Sequence, residues 1–358
     1  MINLDDIEQI NLFDKSNTLD SIDGLPQQCK QVIDDFKSIH LPALNGKVDN
    51  IVIPGMGGSA FAPEIVKTLF TRELKVPYEI VRGYHLPGYV TLRTLVIISS
   101  YSATTKEAIS CGLEALRIGC PVMAIFSHRE KNELFSLAKK EKFPAYIFKE
   151  TYNPSFQPRL GVGYMVYGHI ALLIKTGLIK LDFKELENAI TDVKKLNKFS
   201  FKVKFNENKA KKMAEDLFGY FPILVSSEFL EGAIHGFANQ LNETSKTNSA
   251  FNYIPELNHH RMEGLEFPKE FKKNGIFFFY PSNLYSEQVQ KRYPITKEVI
   301  KKNHFRVLEF KPEGENKIVQ TLETITFNSY VSFYLAMLYG KDPSKIPWVD
   351  YFKEKLGE

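Results

Sequence analysis

The chain has 358 residues, 44% hydrophobic and 25% charged, with a formal net charge of +4. That length accommodates two ordinary domains or one large one, and the composition is globular rather than disordered or coiled-coil. A charge this small suits anionic metabolites and gives no reason to invoke nucleic acid.

The most apolar runs, "HIALLI" and "GIFFFY", fall far short of the ~20 residues of a membrane helix. The acidic start "MINLDDIEQI" does not read as a secretory or transit signal. Cys29, Cys111 and Cys120 are widely spaced and odd in number, which fits neither a metal site nor a disulfide framework. The expectation is a cytoplasmic protein without a membrane segment. The 28 Phe and 17 Tyr are read as core material.

Residues 1–48 read as helical and connecting material, with a helix from Leu25 to Ile39 whose first turn accepts Pro26. Strand–helix alternation follows. "NIVIPG" is a strand, and "SAFAPEIVKTLF" (59–70) a helix opened by Ser59 as N-cap. "PYEIVRG" (77–83) and "TLVIISS" (94–100) are strands, the second of nearly continuous apolar residues, as in a sheet covered on both faces. The helix "TTKEAISCGLEALRIG" (104–119) stops at Gly119. The strand "PVMAIFS" (121–127), the helix "KNELFSLAKKEK" (131–142), the strand "AYIFK" (145–149) and the apolar helix "GVGYMVYGHIALLIKTG" (161–177) complete the half.

The run 194–208, charged and without a clean period, reads as a linker. "FPILVSS" (221–227) and the helix "FLEGAIHGFANQLNETSK" (229–246) then echo the strand–"GGS"–helix of the first half. Strand, helix, strand follow at 275–282, 286–303 and 305–310, and the helices "ITFNSYVSFYLAMLYG" and "PWVDYFKEKL" close the chain. The expected fold class is α/β, with two lobes of similar design, each a doubly wound, mainly parallel sheet flanked by helices. The expected division is 1–195 and 196–358.

Ligands of open α/β sheets lie at the carboxyl ends of strands, where orphan N–H groups and the helix dipole favour an anion. Two such ends carry unusual residues. In "GMGGSA" (55–60), Gly57 and Gly58 let a ligand approach the backbone, next to Ser59. The spacing meets the dinucleotide fingerprint only in relaxed form. In "SSYSATT" (99–105), Ser100, Ser102 and Thr105 bring hydroxyls to a helix start, beside Thr104 and Lys106. One such turn would be an ordinary cap; two in one lobe point to a phosphate.

These segments resemble the "GMGGSA…SYSGNTEET" pair of sugar isomerase (SIS) domains. "QPRLGVGY" (157–164), "NQLNETSK" (239–246), "PELNHHRMEG" (255–264) and "VDYFKEKL" (349–356) narrow the resemblance to the bifunctional phosphoglucose/phosphomannose isomerase family. It runs in order from about residue 50 to the end.

The resemblance implies interconversion of glucose 6-phosphate, and mannose 6-phosphate, with fructose 6-phosphate through a cis-enediolate. Moving a proton between C2 and C1 needs a positioned base and a cation for the developing charge. The resemblance makes Glu243 the catalytic base, Arg159 the enediolate-stabilising cation, and His259 and Lys353 the ring-opening groups, with Lys355 a near rival. It implies a homodimer with shared active sites. No metal or cofactor is expected: the sequence has no clear ligand cluster and a carboxylate mechanism uses none.

The chain departs from the family pattern at Ala103-Thr104, where Gly-Asn is usual, at Lys106, where glutamate is usual, and at His260-Arg261, where Asn-Glu is usual. Ala at 103 matters if φ is positive there. A non-catalytic sugar-phosphate sensor and an isomerase of a different sugar phosphate are the alternative readings.

Overall fold

In the computed structural model, residues 2–128 and 132–357 are described. Labels below are given to strands and to helices of nine residues or more. In the first half, β1 (Asn50–Pro54), α2 (Gly58–Leu69), β2 (Tyr78–Val81), β3 (Thr94–Ser99), α3 (Lys106–Ile118), β4 (Val122–Ser127), α4 (Glu133–Glu141) and β5 (Ala145–Phe148) follow α1 (Leu25–Ser38). Lys131, the first residue expected in α4, lies outside the described residues. The helices α5 (Val162–Lys175) and α6 (Phe183–Leu196) complete this half.

The second half comprises α7 (Lys209–Leu217), β6 (Phe221–Ser226), α8 (Glu231–Gln240), β7 (Ala250–Tyr253), β8 (Gly275–Phe279), α9 (Glu287–Lys302), β9 (Arg306–Glu309), α10 (Lys317–Leu338) and α11 (Pro347–Leu356). The strands form two sheets, β2-β1-β3-β4-β5 and β7-β6-β8-β9, and every pairing among them is parallel. The shared order makes β1, β3, α2 and α3 the counterparts of β6, β8, α8 and α9. The expected α/β fold with two parallel-sheet lobes is therefore present.

Every residue of β3, β4 and β8 is buried, which is why these strands read as nearly unbroken apolar runs. Buried residues of α10 run without interruption from Val319 to Leu338. Such a helix has no polar face to reveal its period, and the start expected from the sequence, Ile325, lies eight residues inside it.

The lobes meet along α2 and α8. A Cβ on Gly232 would stand 2.6 Å from Ile65 N, and one on Gly236 3.0 Å from the Phe61 ring, so these glycines permit close contact of the two helices. Gly57 (φ +48) and Gly119 (φ +83) adopt the left-handed backbone expected of turn and stop residues.

The helix α6 was not anticipated, although Asp182 and Glu185 form a capping box at its start. The segment after Leu196 is held rather than loose. The Lys211 ammonium, fully buried, donates to Asp5 Oδ1 (2.7 Å), Phe201 O (3.0 Å) and Val203 O (2.9 Å). Asn208 Nδ2 donates to Phe199 O and Ser200 O. Among the described residues no helix is long and apolar enough to cross a membrane.

Candidate functional site

Three segments of the first lobe converge at the carboxyl ends of β1 and β3. Gly58 faces the backbone of Pro158 and Arg159, where an added Cβ would come within 3.3 Å of both. Gly161 faces the Tyr101 ring, where a Cβ would come within 2.1 Å. The Tyr101 hydroxyl accepts from Asn153 Nδ2 (2.6 Å), and Asn153 Nδ2 also donates to Gln157 O (3.0 Å). The glycine turn, the serine turn and the "QPR" turn thus form one packed unit.

Ser59 is the second residue of α2, and Gly57 takes the N-cap position instead. The Ser59 side chain works elsewhere. Its Oγ accepts from Tyr101 N at 2.7 Å, tying the glycine turn to the serine turn. Beneath it, Ser99 Oγ donates to Ser59 O (2.6 Å) and lies 3.0 Å from His169 Nε2. Since the Ser99 hydroxyl proton is spent on Ser59, His169 Nε2–H must be the donor. His169 is fully buried and burial pushes its pKa down to about 3, so it stays neutral. Among the described residues its Nδ1 has no hydrogen-bond partner.

The second turn carries its hydroxyls to the start of α3. Ser100 Oγ donates to Thr105 Oγ1 (2.8 Å), and Ser102 Oγ lies 2.9 Å from Thr104 Oγ1. Ala103 has φ +59, the left-handed backbone that makes Ala costlier than Gly there. Lys106 Nζ pairs with Glu133 at 2.8 Å.

Arg159 sits on a short 3₁₀ turn, Pro158–Leu160, and is 1% exposed. All five of its N–H donors are engaged. Nε donates to Thr244 Oγ1 (3.1 Å), Nη1 to Gln157 Oε1 (2.9 Å) and Glu243 Oε2 (3.0 Å), and Nη2 to Pro343 O (2.7 Å) and Ser344 O (2.9 Å). Burial lowers its pKa, and the Glu243 carboxylate opposes that shift. A buried guanidinium is tolerable because every donor is satisfied.

Glu243 stands on a π-helical turn, Leu241–Ser245, that extends α8, not on a regular helix end. Single π-turns inside α-helices often mark functional sites. The turn ends at Lys246, whose φ is +58. Lys246 Nζ does not pair with the Glu243 carboxylate; it donates to Glu243 O (2.8 Å), Thr244 O (3.1 Å) and Asp342 O (2.8 Å). Burial, then the nearby Arg159 charge, pushes its pKa down to about 8. Arg159 and Lys246 together pin the 342–344 turn that leads to α11.

The structure therefore brings Gly57, Gly58, Ser59, Ser100, Ser102, Thr105, Arg159 and Glu243 into one neighbourhood spanning both lobes. Among the described residues, no hydrogen bond or ion pair joins two of the expected residues to it. His259, on the short helix Leu257–His260, is exposed, and its neighbour His260 reaches Glu256 at 3.4 Å. Lys353 is exposed on α11, a helix with no buried residue, and Lys355 lies over the Tyr351 ring at 5.5 Å. No group of three or more potential metal ligands occurs among the described residues.

Sequence reasoning missed His169, Tyr101, Asn153, Thr244 and the 342–344 turn. A lone histidine in the apolar helix "YGHIALLI" was a visible signal for the first. The carbonyls of residues 343 and 344 have none, because every residue has a carbonyl.

Comparison with known proteins agrees with this architecture. The family model for the bacterial phospho-glucose isomerase C-terminal SIS domain matches residues 206–356. A protein of Caldicellulosiruptor bescii named bifunctional phosphoglucose/phosphomannose isomerase is 30% identical over 345 residues, covering 95% of this chain and 98% of its own length. One of the same name from Aquifex aeolicus is 30% identical over 307 residues, 86% of this chain and 90% of its own. Among solved structures, the hypothetical protein TT0462 of Thermus thermophilus shares the fold at a TM-score of 0.72 and 15% identity, over 95% of this chain and 90% of that one. The chain belongs to the bifunctional phosphoglucose/phosphomannose isomerase family.

Proposed function

We propose that this chain interconverts glucose 6-phosphate, and mannose 6-phosphate, with fructose 6-phosphate. The observation that carries the reading is the Arg159 Nη1–Glu243 Oε2 contact at 3.0 Å, which joins the carboxylate of one lobe to the phosphate-type turns of the other. The sugar phosphate lies with its phosphate at Gly57, Gly58, Ser59, Ser100, Ser102 and Thr105. Backbone N–H groups of the Gly57–Gly58 turn and of the start of α3 supply the donors, those of Ser59 and Ala60 being bonded already to Met56 O and Gly57 O.

Glu243 accepts the proton from C2 of the open-chain aldose, leaving an enediolate with its charge on O1; the hydroxyl proton of O2 passes to O1, and Glu243 returns its proton to C1 as O2 becomes the carbonyl of the ketose. Arg159 orients Glu243 and follows the charge. As the carboxylate takes up the proton, the negative charge passes to the enediolate oxygen; the Nη1 hydrogen bond to the carboxylate weakens and that donor serves the oxygen, while the other four donors hold the guanidinium in place. Fixed donors aimed at developing charge are a main source of catalysis. The mechanism needs no metal or cofactor.

His259 and Lys353 act in ring opening. Each is exposed in the single chain, so a second copy completes the site. The exposed apolar residues of α11, Trp348 (83%), Phe352 (61%) and Leu356 (55%), lie at i, i+4, i+8 and offer the surface that such a homodimer buries. The setting is cytoplasmic, and residues 1–195 and 196–358 are the two lobes.

The test is formation of fructose 6-phosphate from each aldose in the presence of EDTA, for the parent and for Glu243→Gln. Turnover of both sugars that collapses in the variant is expected. Saturable phosphate binding without turnover would replace the isomerase with a sensor, and turnover unaffected by the substitution would remove Glu243 from its role.

A further inference from the structure

The equivalence of the two sheets makes the second lobe a copy of the first in one more respect. In the first lobe the turn after β1 faces the start of α3, and that pair is the proposed phosphate cradle. In the second lobe the turn after β6 faces the start of α9. Gly57 in the first turn has φ +48, and Glu228 in the second has φ +46. A glutamate with positive φ is rare.

The Glu228 side chain crosses to α9. Its Oε1 accepts from Ser286 N at 3.0 Å and from Ser286 Oγ at 2.5 Å, and its Oε2 lies 3.2 Å from Ser286 N. Ser286 is the N-cap of α9, as Thr105 is of α3. A carboxylate thus occupies the amide and hydroxyl donors at the start of α9, whereas at the start of α3 Thr105 Oγ1 meets a neutral hydroxyl, Ser100 Oγ, at 2.8 Å. The backbone conformation of Glu228 is itself held: its N–H donates to Glu231 Oε1 at 3.0 Å. A cavity of roughly 300 Å³ adjoins, lined by Thr68, Arg72, Glu228, Glu231 and Lys317 among others.

We propose that the second lobe retains an anion cradle of the same construction and that the Glu228 carboxylate fills it as a built-in ligand, so that each chain takes one phosphate group, in the first lobe. A carboxylate in place of a phosphate keeps two acceptor oxygens on the helix start and spares the protein an empty cluster of donors. The identification of the cradle rests on the proposed phosphate site of the first lobe. It goes beyond that reading by fixing the stoichiometry and naming the residue that sets it.

The test is calorimetric titration of the full chain with inorganic phosphate in phosphate-free buffer. The parent is expected to bind one phosphate per chain and Glu228→Gly two, since glycine accepts the positive φ and vacates the donors. Glu228→Asn, which also tolerates that backbone and carries no charge, guards against loss of fold, checked by circular dichroism. Lys317→Met on the Glu228→Gly background is expected to weaken the second site only. A folded variant that binds no more phosphate than the parent, or a parent that already binds two, overturns the proposal. A parent that binds none, with a variant that binds one, upholds the Glu228 assignment and removes the first-lobe site instead.

Discussion

Arg159 commits every N–H it has to the protein, and one of them reaches Glu243 Oε2 at 3.0 Å across the boundary between the two lobes. The carboxylate is still 30% exposed. The arginine is a fixed scaffold, and the glutamate is the member of the pair that solvent and substrate can reach.

Replacing Glu243 by Gln keeps an oxygen that accepts from Arg159 and removes the base. General acid–base catalysis contributes about 10²–10⁴-fold, so kcat is expected to fall by that range. KM and the thermal midpoint should stay near the parent values. Steady-state kinetics and a melting curve on the same preparation check both halves.

Arg159→Lys keeps the charge and loses the fork. One ammonium has three donors where five are used, so at least two of Thr244 Oγ1, Gln157 Oε1, Glu243 Oε2, Pro343 O and Ser344 O lose their partner. An unpaired buried polar group costs about 1–3 kcal/mol. Urea unfolding should show a loss of at least about 2 kcal/mol, together with a lower kcat because Glu243 is no longer held.

His169 gives a pH signature. Its folded pKa, about 3, lies below the ~6.5 of an unfolded histidine. Between those values the unfolded chain binds one proton that the folded chain refuses, so stability falls as pH is lowered through this window. The slope is about 1.4 kcal/mol per pH unit for one proton. In His169→Gln that contribution should vanish, leaving stability less steep between about pH 6 and 4. Glutamine can still donate to Ser99, whereas His169→Leu cannot. The leucine variant is expected to raise KM about 3- to 10-fold, the equivalent of one net hydrogen bond, through the loosened Ser99–Ser59 support of the glycine turn.

Gly161→Ala would set a methyl 2.1 Å from the Tyr101 ring. The ring is 1% exposed and has nowhere to retreat. Overpacking of this kind costs about 1–3 kcal/mol. Because Tyr101 belongs to the serine turn, weaker phosphate binding should accompany the lower melting temperature, and inorganic phosphate inhibition would register it.

The sequence by itself determined most of the alternation of strands and helices, but not α6, α7 or the short strand β7. Buried parallel strands must be apolar nearly throughout, and helix stops such as Gly119 need a left-handed backbone that glycine supplies cheaply. It also singled out the two turns, because glycines and hydroxyls at strand ends are a local chemical statement. The concern over Ala103 was local in the same way, and its φ of +59 bears it out. What only the tertiary structure decided are the relations between distant segments. Glu243 and Arg159 are 84 residues apart; the motifs around them imply a shared site, but not that the two side chains pair directly with each other. The π-turn that presents Glu243, and against which Arg159 packs through Thr244 and Glu243, has no composition signal. The carbonyls of Pro343 and Ser344 and the ring of His169 serve the site through position alone. Local chemistry can be read along the chain; pairing across it is fixed by packing of the whole.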